Sequence, residues 1–114
     1  MKRLFAVLAL LPSYALAESQ WVKVWEGDES TPQGSVHIVE EADLRTRKHT
    51  GTTSRFVERT SMTLGTTYIV GISTDTFDCE QATYTMQTGG VGPGPTIQVK
   101  VAAEMALFQF ACRE

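Results

Sequence analysis

Few side chains in this 114-residue chain are of the types that carry chemistry, and the spacing of those few decides what they could do. Its two histidines are His37 and His49. The run His37-Ile38-Val39-Glu40-Glu41 lacks the second histidine, one helical turn on, with which a zinc protease completes its ligand set. A single imidazole on the outer face of a strand reads as an exposed side chain, so no metal and no cofactor is expected. Asp75, Asp78 and Glu80 cluster along one strand end. Paired carboxyls can share acid–base work, but only in a cleft that raises one pKa. Asp75 and Asp78 stand three residues apart and point to opposite faces of a regular strand. They read as a solvated strand end, and no calcium-loop pattern surrounds them. The serines lack the G-x-S-x-G elbow of a nucleophile. Gly89 to Pro95, GGVGPGP, lacks the Lys-Ser/Thr of a phosphate cradle, and its prolines remove amide donors. No catalytic residue is expected, and the chain reads as a non-enzyme.

Cys79 and Cys112 are the only cysteines. Two sulfurs do not complete a four-ligand zinc site. In an oxidising compartment they are expected to form a disulfide. Such a bridge would close a loop of about 34 residues and contribute roughly 3–4 kcal/mol on a chain-entropy estimate. The remaining electrostatic feature is basic: Arg45, Arg47 and Lys48, with His49 beside them and Arg55 and Arg59 following. On an acidic domain this local excess is a candidate surface for an anionic partner. The alternative is a solvated sheet edge whose cations discourage sheet-to-sheet pairing. Trp21 and Trp25 are expected in the core, the alternative being an exposed aromatic platform.

The segments that must hold these residues are mostly strands. Tyr68 to Cys79 is dense in β-branched and aromatic residues and apolar on both sides, as a central strand would be. Gln20–Glu26 alternates, with Trp21, Lys23 and Trp25 on one face. Gly27–Gly34 reads as a loop. Ser35–Glu40 completes a hairpin, with Val36 and Ile38 inward and His37 outward. Glu41–Gly51 is polar, and its Leu44 is expected to plug the core edge. Thr52–Met62, Ala82–Gln87 and the stretch from Ile97 to Val101 add strands. Ala102–Cys112 is rich in helix formers, with Met105, Phe108 and Cys112 on one face and Leu107 and Ala111 beside them. The expected fold class is α+β, mainly β: one antiparallel sheet of five or six strands, one C-terminal helix packed on it, and one disulfide.

The first residues stand apart from this domain. Met1-Lys2-Arg3 is cationic, Leu4–Leu11 is apolar, and Ala15-Leu16-Ala17 offers the small residues that signal peptidase reads. Residues 1–17 are expected to be a cleaved signal peptide, with a single domain over 18–114. The apolar run is far short of the ~20 residues of a spanning helix, and no transmembrane segment is expected in the mature chain. Loss of Lys2 and Arg3 sets eight basic against thirteen acidic side chains, a net charge of −5. Phosphates repel such a domain, so nucleic acid is not an expected partner.

Several of these stretches resemble the surface-adhesin protein E family of small exported bacterial domains. They are Trp21-Val22-Lys23-Val24 after a signal ending Ala15-Leu16-Ala17-Glu18, Val36-His37-Ile38-Val39-Glu40 leading into Leu44-Arg45, and Ser54-Arg55-Phe56-Val57. Phe77-Asp78-Cys79 is the most specific, followed by Tyr84 and by the closing Phe110-Ala111-Cys112. Glu40 stands where the family usually has aspartate, and the tryptophan it carries before the C-terminal helix is missing. The resemblance implies a periplasmic or cell-surface location. It also implies attachment to a protein partner, a host matrix protein such as laminin or vitronectin or an envelope protein, and a homodimer among the states of the chain. The alternative function is a periplasmic inhibitor of a host enzyme such as lysozyme, since an acidic domain attracts a cationic enzyme.

Overall fold

The computed structural model describes residues 19–113. The expected signal segment therefore lies outside the described residues. Strands β1 (Trp21–Thr31), β2 (Gly34–Asp43), β3 (Lys48–Thr50), β4 (Thr53–Leu64), β5 (Thr67–Asp78), β6 (Thr83–Gln87) and β7 (Ile97–Gln98) precede one helix, α1 (Ala102–Cys112). All pairings are antiparallel, in the order β1-β2-β4-β5-β6-β7. Short β3 pairs with the start of β4, in line with β2. The mainly β sheet with a C-terminal helix is the architecture that the alternating apolar residues call for.

The sheet is built on the β4–β5 hairpin, which pairs without interruption from Thr53↔Asp78 to Leu64↔Thr67. Its two-residue turn, Gly65-Thr66, needs a left-handed residue, and Gly65 supplies it at φ 60°. Period-two alternation puts Ser54, Phe56 and Glu58 of β4 and Ser73, Asp75 and Phe77 of β5 on one face, and all six are buried. Helix α1 lies over this face and touches β1, β4 and β5. Its Leu107 and Ala111, one turn apart, join Ala42, Phe56, Phe77 and Tyr84 in the core. The Phe77 ring stacks on Tyr84 at 4.9 Å and on Phe56 at 5.8 Å, and Phe110 meets Phe56 edge-on at 5.1 Å. Met105 faces outward at 42 % exposure, so the packed face is centred on Leu107 and Ala111 rather than on Met105.

Cys79 and Cys112 form the expected disulfide, with Cα atoms 5.6 Å apart. It joins the residue just after β5 to the last residue of α1. The helix start has no Ser, Thr, Asp or Asn. Instead Glu104 reaches back to accept from the N–H groups of Lys100 and Val101 at 2.8 and 3.1 Å. This satisfies donors that a helix start leaves unpaired.

Three local expectations are corrected. Strand β1 runs on through Thr31, so most of the expected Gly27–Gly34 loop is strand and the turn is confined to Pro32-Gln33. A bulge between Lys23 and Trp25 reverses the strand's alternation. Trp21 therefore pairs with Asp43 on the outer face, while Trp25 pairs with Glu40 on the helix-covered face. Both are half-buried. Gly27 makes room for the Trp25 ring, whose carbons would stand 2.5 and 2.6 Å from a Cβ at that position. Leu44 is 36 % exposed in a single 3-10 turn (Leu44–Thr46) and does not plug the core. Its turn is held instead by buried Asp43, which accepts from the N–H groups of Gln20 at 2.8 Å and Arg45 at 3.1 Å.

Candidate functional site

The five candidate cations divide into two groups. Arg47 donates from Nη1 to the carbonyl of Phe110 at 2.9 Å, and its guanidinium lies 5.0 Å from the Phe110 ring centre. Arg59 donates from Nε to Glu41 Oε1 at 2.9 Å and covers the Trp21 ring at 4.3 Å. These two pin the helix end and the β1 edge to the sheet. Arg45, Lys48 and Arg55 are exposed and make no ion pair among the described residues.

The backbone brings Lys48 and Arg55 together. Where β2 leaves β4, Thr46 Oγ1 accepts the N–H of Val57 at 2.8 Å and donates to the carbonyl of Asp43 at 2.8 Å. That side chain fills the gap in the ladder and lets β3 rejoin β4. Lys48 then falls directly opposite Arg55, with His49 opposite Ser54. Arg55 lies on the face away from α1, because its neighbours Ser54 and Phe56 are buried on the other. Two like charges directly across a ladder repel each other.

A second polar group is buried beneath α1. Glu58 is 3 % exposed and Asp75 is fully buried. They belong to adjacent strands, and Glu58 is the register partner of Ser73, two residues from Asp75. Ser73 Oγ donates to Asp75 Oδ1 at 2.8 Å. Thr60 Oγ1 lies 2.6 Å from Glu40 Oε1 and 3.1 Å from Glu58 Oε2. Burial pushes the Glu58 carboxyl far above its usual range, and hydrogen bonding to Asp75 and Glu40 pushes it further. Burial also raises Asp75, while its bond with Glu58 pulls the other way. Burial therefore disfavours charge on both carboxyls of the pair. Asp75 Oδ2 is buried with no hydrogen-bond partner among the described residues. The expectation of a solvated strand end is thus corrected for Asp75, whereas Glu80 is exposed and Asp78 half-buried, accepting from the N–H groups of Glu80 and Gln81.

A cleft of about 450 Å³ opens beside this pair, between the start of α1 and strands β1, β2 and β4. Trp25, Glu40, Glu58, Tyr84, Glu104 and Leu107 are among its walls. Tyr84 donates its hydroxyl to Glu104 Oε2 at 2.6 Å. Burial and that acceptor raise the Tyr84 pKa. For Glu104, burial is outweighed by the Tyr84 hydroxyl and the two backbone donors, and its carboxyl stays ionised below its usual range. Sequence reasoning missed Glu58 and Glu104. For Glu58 the signal was present, since it lies two residues beyond Phe56 and so shares the covered face.

His37 is bonded at both ring nitrogens, Nδ1 to Asp28 and Nε2 to Glu26, each at 2.7 Å. Both nitrogens can donate only in the imidazolium form, and the bonds to Asp28 and Glu26 raise its pKa. Among the described residues no group of three or more His, Cys, Asp or Glu side chains could hold a metal.

The site and fold define a small disulfide-linked sheet-and-helix domain. Compared with family models, curated proteins and solved structures, the chain matches none of them.

Proposed function

We propose that this chain is an exported, non-enzymatic binding domain of the bacterial envelope, and that Arg45, Lys48 and Arg55 meet an acidic protein surface. The observation that carries this reading is the exposed Lys48–Arg55 pair, two cations directly opposed, neither of them in a salt bridge among the described residues. Their mutual repulsion is relieved when an anionic partner docks. The reading places the domain in the periplasm or at the cell surface after signal removal. It takes host matrix proteins, laminin and vitronectin, as the first partners to test. Among the described residues no helix is long and apolar enough to cross a membrane.

Binding of the purified oxidised protein to immobilised laminin and vitronectin tests this. Lys48→Glu with Arg55→Glu should weaken binding at least tenfold and flatten its dependence on salt. Unchanged binding rejects the surface.

One observation favours a second reading, inhibition of a cationic enzyme such as lysozyme. Asp28, Glu29, Glu40 and Glu104 all line the cleft, whose outer rim could take a basic side chain. A cell-wall lysis assay with the purified protein separates the two readings. Inhibition lost on Glu104→Gln, with matrix binding retained, would assign the cleft and not the basic edge.

A further inference from the structure

Strand β5 is longer than its neighbour β6. β6 pairs with Thr74–Asp78 alone, so the outer edge of β5 from Thr67 to Ser73 has no strand beside it among the described residues. The exposed half is also apolar, with Tyr68 64 %, Ile69 55 %, Val70 45 % and Ile72 54 % exposed. From Thr63 to Thr74 there is no charged residue and no proline. Folded proteins protect a free edge with lysines, prolines, bulges or a covering loop. This edge has no proline or charge, and its register against β4 contains no bulge.

The ladder fixes which backbone groups the edge presents. Cys79 N–H donates to the Thr52 carbonyl at 2.8 Å, and the β4–β5 register is unbroken. Odd-numbered residues of β5 therefore bond to β4, and even-numbered ones point away. Tyr68, Val70 and Ile72 thus direct their N–H and C=O groups to the open side. An antiparallel strand whose own donors sit two residues apart would match them.

We infer that the occupant is the same edge of a second copy, paired antiparallel about a two-fold axis through Val70. The sequence about that point is complementary to itself. On the outer face Tyr68 meets the partner's Ile72, and Val70 meets the partner's Val70. On the helix-covered face Ile69 meets the partner's Gly71, where no atom lies within 4 Å of the position a Cβ would take. The large side chain of one copy fills the space left by the small residue of the other. All three outward-facing residues of each copy exchange hydrogen bonds in this register. Two copies of an acidic domain repel overall, but the contact itself brings no charge together. An isologous contact of this kind closes on itself and ends at a dimer.

Sedimentation analysis of the purified oxidised protein should give twice the chain mass. Val70→Lys sets two ammonium groups against each other on the axis and should halve that mass, with the far-UV spectrum unchanged and a melting temperature that no longer depends on protein concentration. Val70→Pro removes only an outward N–H, leaves the β4 ladder intact and should do the same. Register is read by crosslinking. Paired residues on the axis have Cα atoms about 5.5 Å apart, within disulfide reach. Val70→Cys should therefore give a covalent dimer on oxidation, and Tyr68→Cys, displaced from its own copy, should not. A wild-type protein that stays monomeric, growth into open-ended assemblies, or a full dimer mass in both Val70→Lys and Val70→Pro would each overturn the inference.

Discussion

On the covered face of β4, Glu58 sits between Phe56 and Thr60 and makes no ion pair among the described residues. Its carboxyl is raised from 4.5 by burial first and by Asp75 and Glu40 second. A raised folded-state pKa means that folding takes up a proton. The stability this contributes is complete below pH 4.5 and is lost as pH rises towards the folded value. Each pH unit within that window costs about 1.4 kcal/mol per proton. Glu58→Gln keeps a donor for Asp75 and an acceptor for Thr60 without needing the proton. Thermal melts between about pH 5 and pH 8 should show a flatter dependence for this variant than for wild type. At pH 8 it should be the more stable of the two, by an amount that grows by up to about 1.4 kcal/mol per pH unit above 4.5. Parallel slopes for the two proteins would show that Glu58 is ionised in the folded state. His37 has the same sign by a different cause, since Asp28 and then Glu26 favour its imidazolium. Its small contribution is present below pH 6.5 and fades as pH rises through the elevated value.

Helix α1 meets the sheet through one small hydrophobic patch and one covalent bond. Leu107 and Ala111 are its buried residues, and Cys112 ties its last turn to the end of β5. Replacing both cysteines by alanine should lower unfolding stability by roughly 3–4 kcal/mol. Denaturant titration should show this as an earlier midpoint with a steeper slope, because the unfolded chain loses its crosslink and exposes more surface. A loss under about 1 kcal/mol would mean that packing alone holds the helix. These long elements were legible in the sequence because their side chains alternate. Phe56 and Glu58, Asp75 and Phe77, and Tyr84 and Met86 each fall on the covered face at period two, and the two cysteines had only each other to pair with. The short elements were not legible. Lys48-His49-Thr50 has no apolar residue, and it becomes a strand because Thr46 bridges the ladder and β4 is there to pair with. The Lys48–Arg55 opposition depends on that pairing and could not be read from spacing. Nor does the one extra residue between Lys23 and Trp25 leave any mark in composition, yet it moves Trp25 to the opposite face.

Charge is unevenly distributed over the whole molecule. Carboxylates gather around the cleft beneath α1, exposed cations lie at the β3–β4 edge, and the projecting β4–β5 hairpin carries none in its outer half. Salt should therefore act differently on the two contacts proposed above. Raising ionic strength from about 0.05 to 0.5 M shortens the screening length several-fold. Binding to an acidic partner should weaken across that range, while the dimer mass should stay constant. A dimer that dissociates in salt would place charged groups in its interface and argue against the Val70 axis. The bulge in β1 has one further use. By turning Trp21 and Trp25 to opposite faces, it sets one indole beneath Arg59 on the outer surface and the other in the cleft wall. No other tryptophan is present. Replacing either with phenylalanine leaves a fluorophore whose emission reports on a single side of the sheet, so occupancy of each side can be followed optically with no dye attached.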